Sequence, residues 1–206
     1  AVELPRPPSY KELVQWAETL SHAFAKALMQ KVDLLEFVEK VCRCGEGLMY
    51  HRQHLLAYLE VYARFADRAL ALRETIKSGK APADDARTKR AIAAVVRFKL
   101  GRCAALYQQT IKKDESAKRK DTIETLRDVL RDILQAVKFV NTWEVSIREE
   151  LYWAVYNGCL LALRVARWLR LHGFGSVCVE AMGWLAQSAN ASLPLMAVHF
   201  VPMRAR

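Results

Sequence analysis

DTIETLRDVLRDILQAVKFVN, residues 121–141, is the stretch whose reading decides the fold. Ile123, Leu126, Leu130, Ile133, Leu134, Val137 and Val140 recur there at steps of three and four. That spacing puts seven apolar side chains on one face of an α-helix, a seam of the kind that closes antiparallel helix bundles. The seam resumes at Ile147, Leu151, Ala154, Gly158, Leu161, Val165 and Trp168. Asn141-Thr142 between the two halves is poor helix interior and predicts two helices, with Asn141 as a cap and Glu144 three residues on.

Working towards the N-terminus, Lys112–Lys120 (KKDESAKRK) reads as a charged linker and a potential sub-boundary within a single helical domain of residues 1–206. Before it, Ile92, Val95, Val96, Cys103, Leu106 and Ile111 mark a helix capped by Asp84 or Asp85. Lys80–Asp85 is a polar loop. A single long helix is expected over Leu48–Lys77, its face marked by Leu55, Leu59, Tyr62, Ala66, Ala69 and Arg73, apolar until the last position. Asp33 caps a shorter helix with Leu34, Phe37, Val38 and Val41, which Gly45 and Gly47 should stop. Pro5, Pro7 and Pro8 form an extended lead-in to a Ser9/Glu12 capping box, and Leu13, Trp16, Leu20, Phe24 and Leu28 continue as a helix. Towards the C-terminus, Gly173-Phe174-Gly175 is a turn, a helix follows from Ser176 to about Ala189, and Ser192 with Pro194 starts another. Helix, short turn, helix is the grammar of tetratricopeptide-like hairpins.

Eight Gly and six Pro in 206 residues are too few for a protein of many turns, so sandwiches and barrels are excluded. The class is all-α, an array of antiparallel helices. The most apolar window, Leu151–Leu163, runs straight into Arg164, Arg167 and Arg170 and falls short of the roughly 20 residues of a membrane span. Five cysteines, Cys42, Cys44, Cys103, Cys159 and Cys178, are odd in number and widely spaced, which fits a reducing compartment better than a disulfide framework. The absence of an initiating Met suggests a fragment of a longer chain.

No phosphate loop, H-E-x-x-H or G-x-S-x-G is present, so neither catalysis nor a cofactor is expected. Cys42, Cys44, His51 and His54 have the residue types of a zinc site. Two residues along a helix is about 200° of rotation, so Cys42 and Cys44 should diverge; a buried Cys42 with two surface histidines is the plainer reading. Lysines and arginines exceed acids by 32 to 22, a net +10. The positive charge gathers at Lys112, Lys113, Lys118, Arg119 and Lys120, along Lys89, Arg90, Arg97, Lys99 and Arg102, and in the row Arg164, Arg167, Arg170. These are either solvated helix faces or a surface for polyanions: nucleic acid, anionic lipid or acidic protein tails such as tubulin's. Aromatics do not interleave with them as a base-stacking platform requires. Ala154, Gly158, Ala162 and Ala166, four apart, form a small-residue stripe for tight packing or for docking a partner's helix. Most of Tyr152, Trp153, Tyr156, Trp168 and Trp184 read as core aromatics, and Asn157 as a polar residue hydrogen-bonded among apolar neighbours.

The run EELYWAVYNG (Glu149–Gly158), followed by Gly173, Ser176, Glu180–Leu185, the step Ser192-Leu193-Pro194-Leu195 and Phe200–Ala205, resembles the N-terminal family of cilia- and flagella-associated protein 54. That family carries L-Y-W-x-V-Y-N-G before a helical hairpin, then S-x-P-L-L and Y-L-T-W-R-A. Pro202, Met203 and Cys159 depart from the pattern. Residues before Glu149 carry helical patterns and no family resemblance. The resemblance implies a structural scaffold of the motile cilium or flagellum, in the central-pair apparatus of the axonemal cytoskeleton. It implies partners among other axonemal proteins, and no catalytic or cofactor residues. Tyr152, Trp153, Tyr156, Asn157 and Gly158 carry its motif as fold-building residues; Arg164, Arg167, Arg170, Lys118, Arg119 and Lys120 are candidate partner contacts. A basic helical module binding nucleic acid is the rival reading.

Overall fold

The computed structural model describes residues 9, 11, 12, 15, 33–78, 86–117 and 119–188. Helices dominate: α1 (Leu34–Tyr50), α2 (His54–Leu56) running into a π-helical stretch (Ala57–Ala63), α3 (Ala66–Lys77), α4 (Ala86–Lys113), α5 (Lys120–Asn141), α6 (Val145–Glu150) and α7 (Tyr152–Leu171). A 3₁₀ turn (Gly175–Cys178) leads into α8, residues 179–188. No strand occurs among the described residues. The Ser9/Glu12 capping box is present: the Ser9 amide donates to Glu12 Oε2 and the Glu12 amide to Ser9 Oγ. The apolar positions expected at Leu13, Trp16, Leu20, Phe24 and Leu28, the Lys80–Asp85 loop with its cap, and Ser192, Pro194 and Pro202 lie outside the described residues.

The α5 seam does what its spacing predicts. Leu126, Leu130, Ile133, Val137 and Val140 are buried, and Ile123 and Leu134 pack against them. Each such side chain withdrawn from water contributes roughly 1.5–3 kcal/mol. The helix stops at Asn141, where the Thr142 hydroxyl donates to the Phe139 carbonyl, so two helices replace one continuous run. Asn141 is the last turn of α5 rather than a cap; Glu144 holds the N-cap position of α6 without a side-chain bond. A second break at Leu151 separates α6 from α7.

Buried on several sides at once, α4 is the central rod. Two ties fix its direction against α1: Arg90 and Arg97 reach Glu39 and Glu46, each 51 residues back, so the helices run parallel. Lys89 reaches Glu150 at the end of α6, 61 residues on, and the Tyr107 hydroxyl donates to the Arg164 carbonyl of α7, 57 residues on, an order that makes α7 parallel to α4 too. Between them lies α5, antiparallel to α4 across the 114–119 loop, where Lys99 donates to Gln135. The loop is closed by the Asp114 carboxylate, which accepts the Arg119 amide, and by Ala117 in the left-handed region at φ 52°.

The N-terminal half differs from its expectation. Gly45 and Gly47 do not stop α1, which continues to Tyr50. Nor is Leu48–Lys77 one helix: Arg52 turns into the left-handed region at φ 58°, the π-helical stretch follows, and Phe65 breaks the chain again. A π-turn holds more residues than an α-turn, so it rotates the inward face. Leu55 and Leu59 are consequently exposed, while Ala57, Val61 and Tyr62 are buried.

The explanation lies in Tyr62. Its ring enters a slot between two mid-helix glycines, Gly45 of α1 and Gly101 of α4; a Cβ on either would overlap its phenol end. Phe98 meets the ring edge-on at 5.3 Å between centroids. The Tyr62 hydroxyl has no hydrogen-bond partner among the described residues, and burial pushes its pKa well above the usual phenol range.

Candidate functional site

The motif of α7 splits between the two sides of the helix. Gly158 is buried against α5, where an added Cβ would stand 2.8 Å from Val137 Cγ2. Ala154, Ala162 and Ala166 are buried with it, so the small-residue stripe serves close packing of α7 within the chain. Its choice of Gly over Ala costs helix propensity of about 1 kcal/mol and admits α5 in return. Tyr152 and Trp153 are half-buried. Tyr156 is exposed, contrary to its reading as core. Asn157 is exposed as well and makes no side-chain hydrogen bond within the described residues, so the expected buried amide is corrected.

Trp153, Asn157, Leu160, Leu161 and Arg164 instead line one wall of an open groove of about 800 Å³. Ala93, Arg97, Leu100, Gly101 and Ala104 of α4 line the other, with Glu46 of α1 at the edge. Both helices contribute positions at the same relative spacing, as two parallel helices held in register must. The Arg97 guanidinium grips Glu46 with two bonds, at 3.0 and 2.6 Å, so this acid is neutralised at the rim. An apolar band runs out of the groove from Leu160 in its lining to Tyr156 and Leu163 beyond the rim: Tyr156, Leu160 and Leu163, at i, i+4 and i+7 on α7, are 49%, 37% and 52% exposed.

The candidate cations separate on inspection. Arg164, Arg167 and Arg170 are exposed and make no ion pair among the described residues. Only Arg164 borders the groove; the stem of Arg170 lies over the Gly175 turn. Arg119 precedes α5, Lys120 sits 3.6 Å from Glu124, and Lys118 lies outside the described residues. The basic side of α4 is largely consumed within the fold: Lys89, Arg90 and Arg97 bind Glu150, Glu39 and Glu46. Burial pushes the Lys99 pKa down while its ammonium donates to Gln135.

The Cys/His set does not assemble. Cys42 and Cys44 are both buried, and the Cys42 thiol lies 3.5 Å from the Ala94 carbonyl. Burial pushes the Cys42 thiol up to about 12 and the Cys44 thiol up to about 11, which disfavours the thiolate a metal needs. No group of three metal-ligating side chains converges among the described residues. His54 instead lines a smaller cavity of about 370 Å³ with Arg52, Gln108, Ile111, Lys112, Glu115 and Trp168. Burial, with Lys112 and Arg52 nearby, lowers its pKa. His172 bridges two elements: its ring nitrogens meet the Trp168 and Glu115 carbonyls at 2.8 and 3.1 Å. All five cysteines are free, and no described helix is long and apolar enough to cross a membrane.

Neither the groove nor the Tyr62 slot follows from the α5 seam. Their signals were the repeated 0, 4, 7, 8, 11 spacing from Ala93 and from Trp153, and the two glycines inside strong helices.

No curated protein and no solved structure matches the chain. A family model described as cilia- and flagella-associated protein 54, N-terminal, matches residues 24–206. The match reaches far N-terminal of Glu149, so α1 to α5, which resemble no family by their own residues, fall within it. The chain belongs to the N-terminal family of cilia- and flagella-associated protein 54, a family associated with cilia and flagella.

Proposed function

We propose that this segment is a non-enzymatic structural scaffold of the axoneme, working through helix-to-helix contacts with other central-apparatus proteins. The observation that carries the reading is the exposed apolar band Tyr156, Leu160, Leu163 running beside an open groove on the motif-bearing helix. Large apolar side chains aligned on one exposed helix face are a usual mark of protein contact. The rival reading, a nucleic-acid module, loses support because three cations of α4 are spent on internal carboxylates. Tubulin's acidic tails are a further partner compatible with the free arginines, without a feature that singles them out.

The test is incorporation. A tagged full-length chain should enter the axoneme and resist detergent extraction. The double substitution Tyr156→Asp, Leu163→Asp should release it at least tenfold while leaving the isolated domain's helical circular dichroism intact. A diffuse cytosolic or nuclear distribution of the unsubstituted chain contradicts the reading.

A further inference from the structure

We infer that the α4–α7 groove receives an amphipathic helix from a partner protein, with an acidic residue of that helix set against Arg164. This rests on the scaffold reading and names the partner's chemistry. The groove lies between two parallel helices, bounded at one end by Lys89 bonded to Glu150 of the preceding α6 and at the other by Tyr107 bonded to the Arg164 carbonyl. Its lining from Ala93 to Ala104 and from Trp153 to Arg164 covers 12 residues on each helix, about 16 Å or three helical turns. Ala93 and Ala104 keep the α4 wall low, which lets a third helix approach closely; Leu100, Leu160 and Leu161 supply apolar surface. The exposed Tyr156 and Leu163 extend that surface past the rim.

Charge selects the occupant. Glu46 is already gripped by Arg97, so the charge left unpaired in the lining is Arg164, with Arg167 exposed three residues on. An acidic residue on the incoming helix pairs with Arg164; a basic one meets it unpaired at an apolar rim, which is unfavourable. A nucleic-acid backbone fits poorly, since it needs several free cations and this lining offers one among leucines and alanines.

Two stapled 16-residue peptides with the same Ala/Leu face test the assignment, one ending in a pair of Glu and the other in a pair of Lys. Fluorescence anisotropy on the whole 206-residue chain should give at least tenfold tighter binding of the Glu peptide. Arg164→Glu should reverse the preference, and Asn157→Trp, which fills the groove from an exposed position, should abolish both. Equal affinities, no binding by either peptide, a preference that survives Arg164→Glu, or displacement by a single-stranded RNA oligonucleotide overturns it. In cilia, normal incorporation of a full-length chain carrying Arg164→Glu and Asn157→Trp overturns the groove alone. A wild-type chain that fails to reach the axoneme overturns the scaffold reading as well.

Discussion

Two halves of this molecule are built by different rules. From α5 through α7 the core is a repeating seam, in which neighbouring positions on one helix predict one another. From α1 through α3 the core is organised by one side chain, Tyr62, that reaches between helices 56 residues apart in sequence, at Gly45 and Gly101. The seam distributes its stability over many similar contacts. The slot concentrates it in a fit, and the π-helical stretch exists where the chain must turn that ring inward.

The largest expected effect tests the seam. Ile133→Ala removes a fully buried side chain at the centre of α5 and should cost about 2–5 kcal/mol in chemical denaturation. A loss under about 1 kcal/mol would mean that the α5 seam is not packed as described.

Next comes the slot. Gly101→Ala gains up to about 1 kcal/mol of helix propensity but drives a methyl into the Tyr62 phenol, where overpacking costs about 1–3 kcal/mol. Net destabilisation is expected, and the double variant with Tyr62→Leu should recover most of it. Additive losses in that double-mutant cycle would break the comparison.

Tyr62→Phe separates the ring from its hydroxyl. The hydroxyl is buried without a partner among the described residues, so its removal should leave stability unchanged or raise it by about 1 kcal/mol. A loss of 2 kcal/mol or more would show that a water or ligand serves that hydroxyl (order of magnitude from the cost of an unpaired group).

A pH-dependent effect comes from two buried thiols, Cys42 on α1 and Cys103 on α4. Cys42 and Cys103 are pushed by burial from 9.0 to about 12. A thiol whose folded pKa is raised keeps its full stabilising contribution below the unfolded value and loses it as pH rises towards the folded one. Stability should therefore fall between pH 9 and 12, and less steeply in Cys42→Ala or Cys103→Ala. Equal slopes in all three proteins, followed by urea midpoints across that range, would remove the thiols as the cause.

The smallest effect is at the surface. Arg97→Ala breaks the bidentate pair with Glu46 on a partly exposed rim and should cost under about 1 kcal/mol.

This contrast also explains what could be read from the residues alone. The helices around Ile133 and Val165 were legible because periodicity is a local property, and their boundaries at Asn141 and Gly173 fell where helix-breaking chemistry put them. Gly45 was misread as a stop because a glycine that ends a helix and one that admits a distant ring look alike in sequence. Leu55 and Leu59 were misplaced because an α-helical ruler cannot anticipate a π-turn. On α7 the motif was visible, yet the side of the helix to which each residue belonged was not: Gly158 turned inward to α5 while Asn157 and Tyr156 turned out. That assignment depends on where α4 and α5 lie, which no single segment records.

The Tyr62 slot also constrains how this sequence can drift. Gly45, Tyr62 and Gly101 belong to three separate elements, and a side chain at either glycine becomes acceptable only after the tyrosine has been shortened. Substitutions there have a required order, with the aromatic going first through a cavity-bearing intermediate. Among relatives the three positions should therefore change as a set, leaving a trace of their contact in sequence comparison even where the helices around them have diverged.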